Sequence, residues 1–270
     1  LPLKAVRRIA VIGPMAQNRL HLLGSWSAHG REEDAVSVFA GLENEYRNRA
    51  ELLYARGCDF DGEDRSGFRE AVAAASEADV VVLCLGEKKN WSGEQLAAEL
   101  AKTGKPVVLV LSSGRPLELR RLEPLCGAMV QMWQPGIRGG NPLAGILSGR
   151  INPSGKLAMT FPYSTGQIPI YYNRRQSGRT HQGKYQDIPS TPLYEFGHGL
   201  SYTTFEYGDP KSSATTLRRG EKATVTVTVT NTGGMDGSEA VLWFVSDPVC
   251  RISRPVRELK HFEKQPIRRG

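Results

Sequence analysis

One segment limits the possible fold more than any other. Residues 80–85 (VVVLCL) form an unbroken apolar run that ends at Gly86. A strand with one wet face would alternate apolar and polar residues, whereas a continuous run of this length is typical of a strand buried on both faces, as in parallel sheets. Helical periodicity on both sides, over residues 66–78 and 95–103, supplies the helices that such a sheet needs on its faces. We therefore predict an α/β fold.

The first 165 residues repeat this pattern of strand and helix. The predicted strands are residues 8–12, 51–55, 79–85, 106–111, 128–132 and 156–161. The predicted helices are residues 35–46, 66–78, 95–103, 117–125 and 141–147. We expect residues 1–165 to form a mainly parallel, six-stranded α/β sandwich domain.

The remaining residues follow a different pattern. Residues 166–202 lose all periodicity, and because a connection of this length is long for a compact domain, we expect an ordered, irregular connector with a functional role. From residue 203 the period is two, with strands predicted at 223–230, 239–245 and 255–262. These strands predict an antiparallel β-sandwich over residues 203–270. Such a sandwich needs about seven strands, so we expect this domain to be partial and the chain to be part of a longer protein.

Composition and charge argue against several classes of function. The formal net charge is +7, but the basic residues are scattered in pairs rather than gathered in a stripe, which argues against a nucleic-acid partner. No apolar stretch approaches the ~20 residues of a membrane span, and the first residues run into a strand without a signal peptide. The four cysteines and five histidines lack disulfide-framework or metal-ligand spacing, so we expect buried free thiols, no metal and no cofactor.

The loop after residues 80–85 carries the strongest candidate chemistry. Open parallel sheets bind ligands at the carboxyl ends of their strands, and this loop contains Glu87, Trp91 and Glu94. Two carboxylates and an indole are components of a carbohydrate site, in which one glutamate is the general acid/base and Trp91 a platform for the sugar. The alternative is a pair of solvated surface carboxylates, because the spacing alone does not fix the geometry of a catalytic pair.

Three other loops contain weaker candidates. Gly13 is followed by a proline that removes an amide donor, and the phosphate-binding glycine signatures are absent, which argues against a nucleotide site. Ser25 and Trp26 lie on the same loop and form either a second wall of the pocket or ordinary packing. Trp133 either stacks on a sugar or packs beneath its own loop. Residues 112–114 (SSG) lack the elbow of a serine hydrolase.

Several motifs converge, in order, on one family. They are residues 9–14 (IAVIGP), 24–27 (GSWS), 86–87 with 92–94 (GE and SGE), 104–111 (GKPVVLVL), 114–116 (GRP), 133–136 (WQPG), 139–141 (GGN), 152–157 (NPSGKL) and 192–202 (PLYEFGHGLSY). Each is short, but the ordered set resembles the C-terminal half of glycoside hydrolase family 3, of the periplasmic β-glucosidase type. The resemblance covers essentially the whole chain.

The resemblance implies an architecture and a division of catalytic labour. The family joins an N-terminal (β/α)8 barrel to an (α/β)6 sandwich and a fibronectin type III-like domain, and this chain resembles the second and the start of the third. In the family the barrel carries the nucleophilic aspartate and the sandwich lends the acid/base glutamate, whose position falls on Glu94, with Glu87 as the alternative. Ser25 and Trp26 resemble the residues of the first sandwich loop that approach the sugar.

The implied parent protein is a retaining exo-β-glycosidase, a β-glucosidase, acting on β-linked glucosides or short oligosaccharides. Its barrel would be the partner of this chain, which alone would be inactive, and the resemblance implies a periplasmic or secreted location. One departure concerns Glu94, which is followed at once by Gln95, whereas family members carry a further segment with an arginine and a Leu-Pro pair. This departure keeps open a non-catalytic carbohydrate-binding or scaffolding role. A flavodoxin-like nucleotide binder is a third alternative.

Overall fold

A five-stranded parallel sheet is the centre of the computed structural model, which describes residues 1–25, 27–60, 62–86, 92–175 and 187–270. The strands are β1 (Arg8–Ile12), β2 (Glu51–Ala55), β3 (Val80–Gly86), β4 (Val107–Ser112) and β5 (Ala128–Gln131). They lie in the order β2-β1-β3-β4-β5, and every neighbouring pair is parallel. The predicted α/β class with a mainly parallel sheet is confirmed.

The two central strands β3 and β4 are buried on both faces. Every residue of β4 is buried, and so is every residue of β3 before Gly86. The start of β3 is fixed beside β1 by Asp79, whose carboxylate accepts hydrogen bonds from the backbone amides of Arg7 (2.7 Å) and Arg8 (2.9 Å). These two bonds hold the pKa of Asp79 below its ordinary value. The continuous apolar run therefore became the buried strand that its pattern predicts.

Five α-helices accompany the sheet in the described part of the chain. They are α1 (Leu20–Leu23), α2 (Val38–Tyr46), α3 (Phe68–Glu77), α4 (Ser92–Ala101) and α5 (Gly140–Ser148). Ser37 caps α2, because its hydroxyl oxygen accepts the amide of Ala40 at 3.1 Å. Helices α2 and α5 approach so closely that a Cβ atom on Gly41 would overlap the carbonyl oxygen of Gly140. None of the described helices is long and apolar enough to cross a membrane.

The predicted sixth strand, residues 156–161, is not part of the sheet. Phe161 forms an isolated antiparallel bridge with Tyr194, and the amide of Leu157 donates to the carbonyl of His198 at 2.8 Å. The backbone of this segment therefore pairs with residues 194–198 instead of extending the sheet beyond β5. The sheet has five strands among the described residues where the sequence predicted six.

The predicted helix over residues 117–125 is also not formed. Only Glu123–Leu125 are helical there, as a single 3₁₀ turn. Pro124 lacks the amide that an α-helix interior needs. Glu118 instead accepts hydrogen bonds from the backbone amide (2.7 Å) and the hydroxyl (2.8 Å) of Thr165, which ties the segment to a residue distant in sequence.

Small antiparallel sheets make up the C-terminal part. Their strands are β6 (Phe205–Tyr207), β7 (Lys211–Ser212), β8 (Val225–Thr226), β9 (Val229–Asn231), β10 (Gly237–Val245) and β11 (Glu258–Ile267), paired β6–β9, β7–β8 and β10–β11. The predicted strand over 223–230 is thus divided between β8 and β9. Asn231, 1% exposed, ties β9 to its surroundings by donating to the carbonyls of Met235 and Ile267 and accepting the hydroxyl of Thr203.

The described residues divide into two compact units, and each unit is built from three separate segments of the chain. The first unit comprises Leu1–Ile151, Met159–Tyr171 and residues 187–196. The second comprises Asn152–Ala158, residues 172–175 and Gly197–Gly270. Residues of the segment 166–202 therefore belong to both units.

Candidate active site

The structure describes two of the five residues that the sequence assigned to the catalytic and sugar-binding site. Glu94 lies in the first turn of α4, and Ser25 is an exposed residue just after α1. Glu87, Trp91 and Trp26 lie outside the described residues. The site is therefore described from Glu94, from Ser25 and from the carboxyl ends of strands β4 and β5.

Glu94 has a partly exposed carboxylate at the amino end of a helix. Its side chain is 25% exposed, and its Oε2 atom lies 3.4 Å from Nη1 of Arg121. This contact is long and Arg121 is 69% exposed, so the pair contributes little to stability. The partial positive charge of a helix amino end also attracts a carboxylate. A carboxyl group in this position is accessible enough to exchange a proton with a bound molecule.

The loop that carries Ser25 begins with an unusual backbone conformation. Gly24, directly after α1, has φ 73° and ψ −178°, a combination that essentially only glycine adopts. Ser25, the residue after Gly24, is exposed to solvent. A substitution at Gly24 would alter the path of every residue that follows it on the loop.

The carboxyl ends of β4 and β5 are joined by side-chain hydrogen bonds. The Ser112 hydroxyl donates to the carbonyl of Trp133 at 2.9 Å. The amide nitrogen of Gln131 donates to the Ser113 hydroxyl oxygen at 2.9 Å, and that hydroxyl donates to the carbonyl of Arg115. The hydroxyls of both serines therefore support the loops. The amide oxygen of Gln131 is buried without a hydrogen-bond partner in the described part of the chain.

Trp133 packs against the protein, which the sequence alone did not decide. Its ring centre lies 5.8 Å from that of Phe161, a residue that is 1% exposed. Its backbone has φ 56°, in the left-handed region that a bulky residue rarely adopts. No signal in the sequence marks this conformation, because tryptophan is not a residue that turn patterns select.

Two of the four thiols, those of Cys84 and Cys126, are poor nucleophiles. Burial raises the pKa of the Cys84 thiol far above its ordinary range, and burial together with the nearby Glu123 raises that of Cys126 to about 11. Both thiols are therefore protonated near neutral pH. Among the described residues no group of three or more histidine, cysteine, aspartate or glutamate side chains is placed to hold a metal ion.

The family model of the glycosyl hydrolase family 3 C-terminal domain matches residues 1–202. The chain belongs to glycoside hydrolase family 3. The resemblance inferred from the ordered motifs is confirmed.

Relatives of this family 3 chain include a periplasmic β-glucosidase from Salmonella typhimurium, 38% identical over the whole chain and 41% of that protein. A β-xylosidase from Formosa agariphila is 36% identical over the whole chain and 40% of that protein. Among solved structures, the β-glucosidase of Listeria innocua in complex with isofagomine superposes with a TM-score of 0.90 at 38% identity, over the whole chain and 40% of that structure. The chain thus spans about two fifths of the length of these family 3 relatives.

This family 3 chain is also shorter than the Salmonella protein across the matched region. The alignment with the Salmonella protein extends over 312 residues, whereas the chain has 270, so that protein carries residues with no counterpart here. At Glu94 itself, α4 runs without interruption from Ser92 through Gln95 to Ala101. The candidate acid of this family member is thus part of a helix.

Proposed function

We propose that this chain supplies the general acid/base of a retaining exo-acting β-glycosidase, a β-glucosidase, whose aspartate nucleophile lies on a barrel outside this chain. The observation that carries the proposal is the partly exposed Glu94 carboxylate, which follows the central strand β3 at the amino end of α4. The substrates are β-linked glucosides or short β-linked oligosaccharides, as the names of the matched β-glucosidases suggest. The name of the Salmonella relative supports a periplasmic or secreted location.

In the proposed reaction Glu94 acts twice. It first donates a proton to the leaving glycosidic oxygen while the aspartate attacks the anomeric carbon and forms a glycosyl-enzyme. It then removes a proton from the water that opens this intermediate. Retention requires the two carboxyl groups to lie about 5–5.5 Å apart. Because the chain holds the acid/base carboxyl group but not the nucleophile, we expect it to have no hydrolytic activity by itself.

Three further residues are proposed to contact the sugar. The exposed Ser25 hydroxyl can donate to and accept from a sugar hydroxyl, since a hydroxyl does both. Trp26 and Trp91, assigned from the sequence, would offer apolar faces to the sugar ring with an indole N–H at the edge. Glu87 remains the alternative acid/base.

A non-catalytic carbohydrate-binding or scaffolding role is the second candidate. The observation that favours it is the position of Glu94 inside a continuous helix, with its carboxylate beside Arg121.

A chimaera separates the two candidates. This chain replaces the aligned 40% of the Listeria innocua β-glucosidase, and hydrolysis of an aryl β-glucoside is measured. With a poor leaving group, Glu94→Gln should reduce kcat at least ~100-fold, because general acid–base catalysis contributes about 10²–10⁴-fold. With an activated leaving group the first step should persist, and azide should restore turnover because it needs no base.

Glu99→Gln is the matched control, since Glu99 lies on the same helix and pairs with Lys102 at 2.6 Å. It should leave kcat unchanged. Unchanged activity in Glu94→Gln with loss in Glu87→Gln would move the acid/base role to Glu87. The non-catalytic role would be supported if the chimaera is folded but inactive and the isolated chain binds a soluble β-glucan.

A further inference from the structure

The path of the loop that carries Ser25 is fixed from outside the loop. We define the Ser25 loop as residues 24–25 and 27–36, and the 133–136 turn as the residues that follow β5. The amide of Gly136 donates to the carbonyl of Leu22 at 2.8 Å, two residues before the Ser25 loop begins. At the other end of the loop, the amide of Val36 donates to the carbonyl of Ile137 at 2.8 Å. Residues in and next to the turn thus hold the two ends of the loop.

Gly24 has no room for a Cβ atom while the exposed Gln134 side chain keeps its observed position. A Cβ atom on Gly24 would lie 2.5 Å from Cδ of Gln134 and would overlap its amide oxygen. The Gln134 side chain therefore covers Gly24 at the point where the backbone takes its glycine-only conformation. Because Ser25 is the next residue, a shift of the Gln134 side chain reaches Ser25 through one peptide unit.

The 133–136 turn is itself held by the sheet. The Ser112 hydroxyl at the end of β4 donates to the Trp133 carbonyl at 2.9 Å, and the Trp133 ring packs against buried Phe161. The left-handed backbone of Trp133 persists only where its surroundings hold it. Ser112 is 7% exposed, so this hydrogen bond is shielded from water.

We propose that Ser112, Trp133 and Gln134 are positioning residues for Ser25, and that the 133–136 turn transmits the rigid geometry of the sheet to the sugar-contacting loop. This inference rests on the proposed function, because it assigns the turn a role in holding the sugar. It extends that function to residues that would not touch the substrate. In enzymes generally, displacing a positioned group by about 1 Å lowers the rate by as much as ~10²-fold. A small shift of Ser25 is therefore expected to have a measurable effect.

Hydrogen exchange on the chain itself tests the structural part of the proposal. Ser112→Ala should speed the exchange of amides in the peptides that cover residues 20–36 at least ~5-fold, because the protection of an amide reflects the local opening of its surroundings. Ser112→Thr keeps a hydroxyl and should restore protection. Ser76→Ala is the matched control, since the Ser76 hydroxyl donates to the carbonyl of Val72 at 2.8 Å and lies on α3, away from the loop in sequence.

A second pair of variants tests the contact at Gly24. Gly24→Ala should also speed exchange across residues 20–36, and adding Gln134→Ala should return part of the protection by removing the overlapping atoms. Gly104→Ala controls for backbone strain, because Gly104 has a similar φ of 71° but no atom within 4 Å of its would-be Cβ. Equal exchange over residues 20–36 in the parent chain, Ser112→Ala and Gly24→Ala would overturn the proposal.

Kinetics in the chimaera test the functional part. Ser112→Ala should raise KM for an aryl β-glucoside about 10-fold with kcat within about 2-fold, the pattern of lost uniform binding. Ser112→Thr should restore KM. Faster exchange with an unchanged KM would overturn the positioning role. An inactive chimaera of the unmodified chain would count against the proposed function, and the exchange results would then support or overturn the tie between turn and loop.

Discussion

At the scale of single residues, Glu45 shows how one carboxylate joins two helices. Its Oε2 atom on α2 accepts hydrogen bonds from Nε (2.9 Å) and Nη2 (2.8 Å) of Arg150, and its Oε1 accepts the hydroxyl of Ser148 at the end of α5. The hydrogen bonds from Arg150 are the largest cause that lowers the pKa of Glu45 below its ordinary value of 4.5. Burial opposes this effect, and the Ser148 hydroxyl adds to it.

We predict that Glu45→Gln weakens the pH dependence of stability in acid. A carboxyl group with a lower pKa in the folded state binds fewer protons there than in the unfolded chain. Its contribution to stability is therefore complete above pH 4.5 and is lost as the pH falls through the folded-state pKa. Urea unfolding at about pH 7 and about pH 3.5 should show a smaller loss for Glu45→Gln than for the parent chain.

The matched control is Glu51→Gln, whose parent side chain is 59% exposed and pairs with Arg8 at the surface. This change should leave the pH dependence close to that of the parent. If the parent and Glu45→Gln lost equal stability on acidification, the Arg150 pair would not be the source of the acid sensitivity.

The sequence singles out candidate residues for the site but does not predict their neighbours in the folded chain. Glu94 could be singled out because it follows a buried strand and matches a family motif. Its contact with Arg121 could not be foreseen, because the two residues are separated by 27 positions and meet only in the folded chain. The left-handed backbone of Trp133 could not be predicted for the same reason, since Ser112 and Phe161 hold it through tertiary contacts.

At the scale of elements, strands with continuous apolar runs were predicted within a residue or two. The predictions for β1 and β2 match the observed bounds, and β3 and β4 are each displaced by one residue at both ends. Apolar burial on both faces fixes such strands locally. The predictions of a helix over residues 117–125 and of a sheet strand over residues 156–161 were wrong, because partners distant in sequence decide the structure of both segments. Thr165 is the partner of the first, and Tyr194 and His198 are the partners of the second.

A second element-scale feature is the anchor of β6 to β10. The hydroxyl of Tyr207 on β6 donates to Oε1 of Glu239 on β10 at 2.8 Å, and Nζ of Lys156 lies 3.3 Å from the same atom. Glu239 is 7% exposed. Burial and the bond to Glu239 raise the pKa of Tyr207 above its usual range, so the hydroxyl remains a donor at all physiological pH values.

We predict that Tyr207→Phe lowers the free energy of unfolding by about 1 kcal/mol, because a buried carboxylate loses one of its donors. Chemical denaturation monitored by circular dichroism measures this change. Tyr171→Phe is the control, since Tyr171 is 64% exposed, and it should change stability by less than about 0.5 kcal/mol. Equal effects of the two substitutions would show that the Tyr207 bond does not stabilise the strand pair.

At the scale of the whole molecule, the first unit is not a continuous stretch of chain. Residues 1–151 contain the complete five-stranded sheet, but the unit also includes Met159–Tyr171 and residues 187–196. Phe161 belongs to the later part, is 1% exposed, and packs against Trp133 of the earlier part. A boundary placed after the last strand would therefore remove part of the core.

We predict that a protein of residues 1–151 is less stable than one of residues 1–196 by at least about 3 kcal/mol, the cost of removing a buried phenylalanine side chain. Urea denaturation of the two proteins measures the difference. Phe161→Ala in the longer protein should account for most of it. Identical midpoints for the two lengths would show that the later segments add no stability to the sheet.

The strand order of the sheet also determines when, during translation, each strand can pair with its neighbours. Strand β1 lies between β2 and β3, so the apolar side chains of Ile9–Ile12 cannot be flanked on both sides until the ribosome has released Gly86. After that point each new strand joins the edge formed by the one before it, β4 on β3 and β5 on β4. Strand β1 is thus the strand of this sheet that waits longest for its partners, and during translation it is the part of the sheet most in need of protection from aggregation.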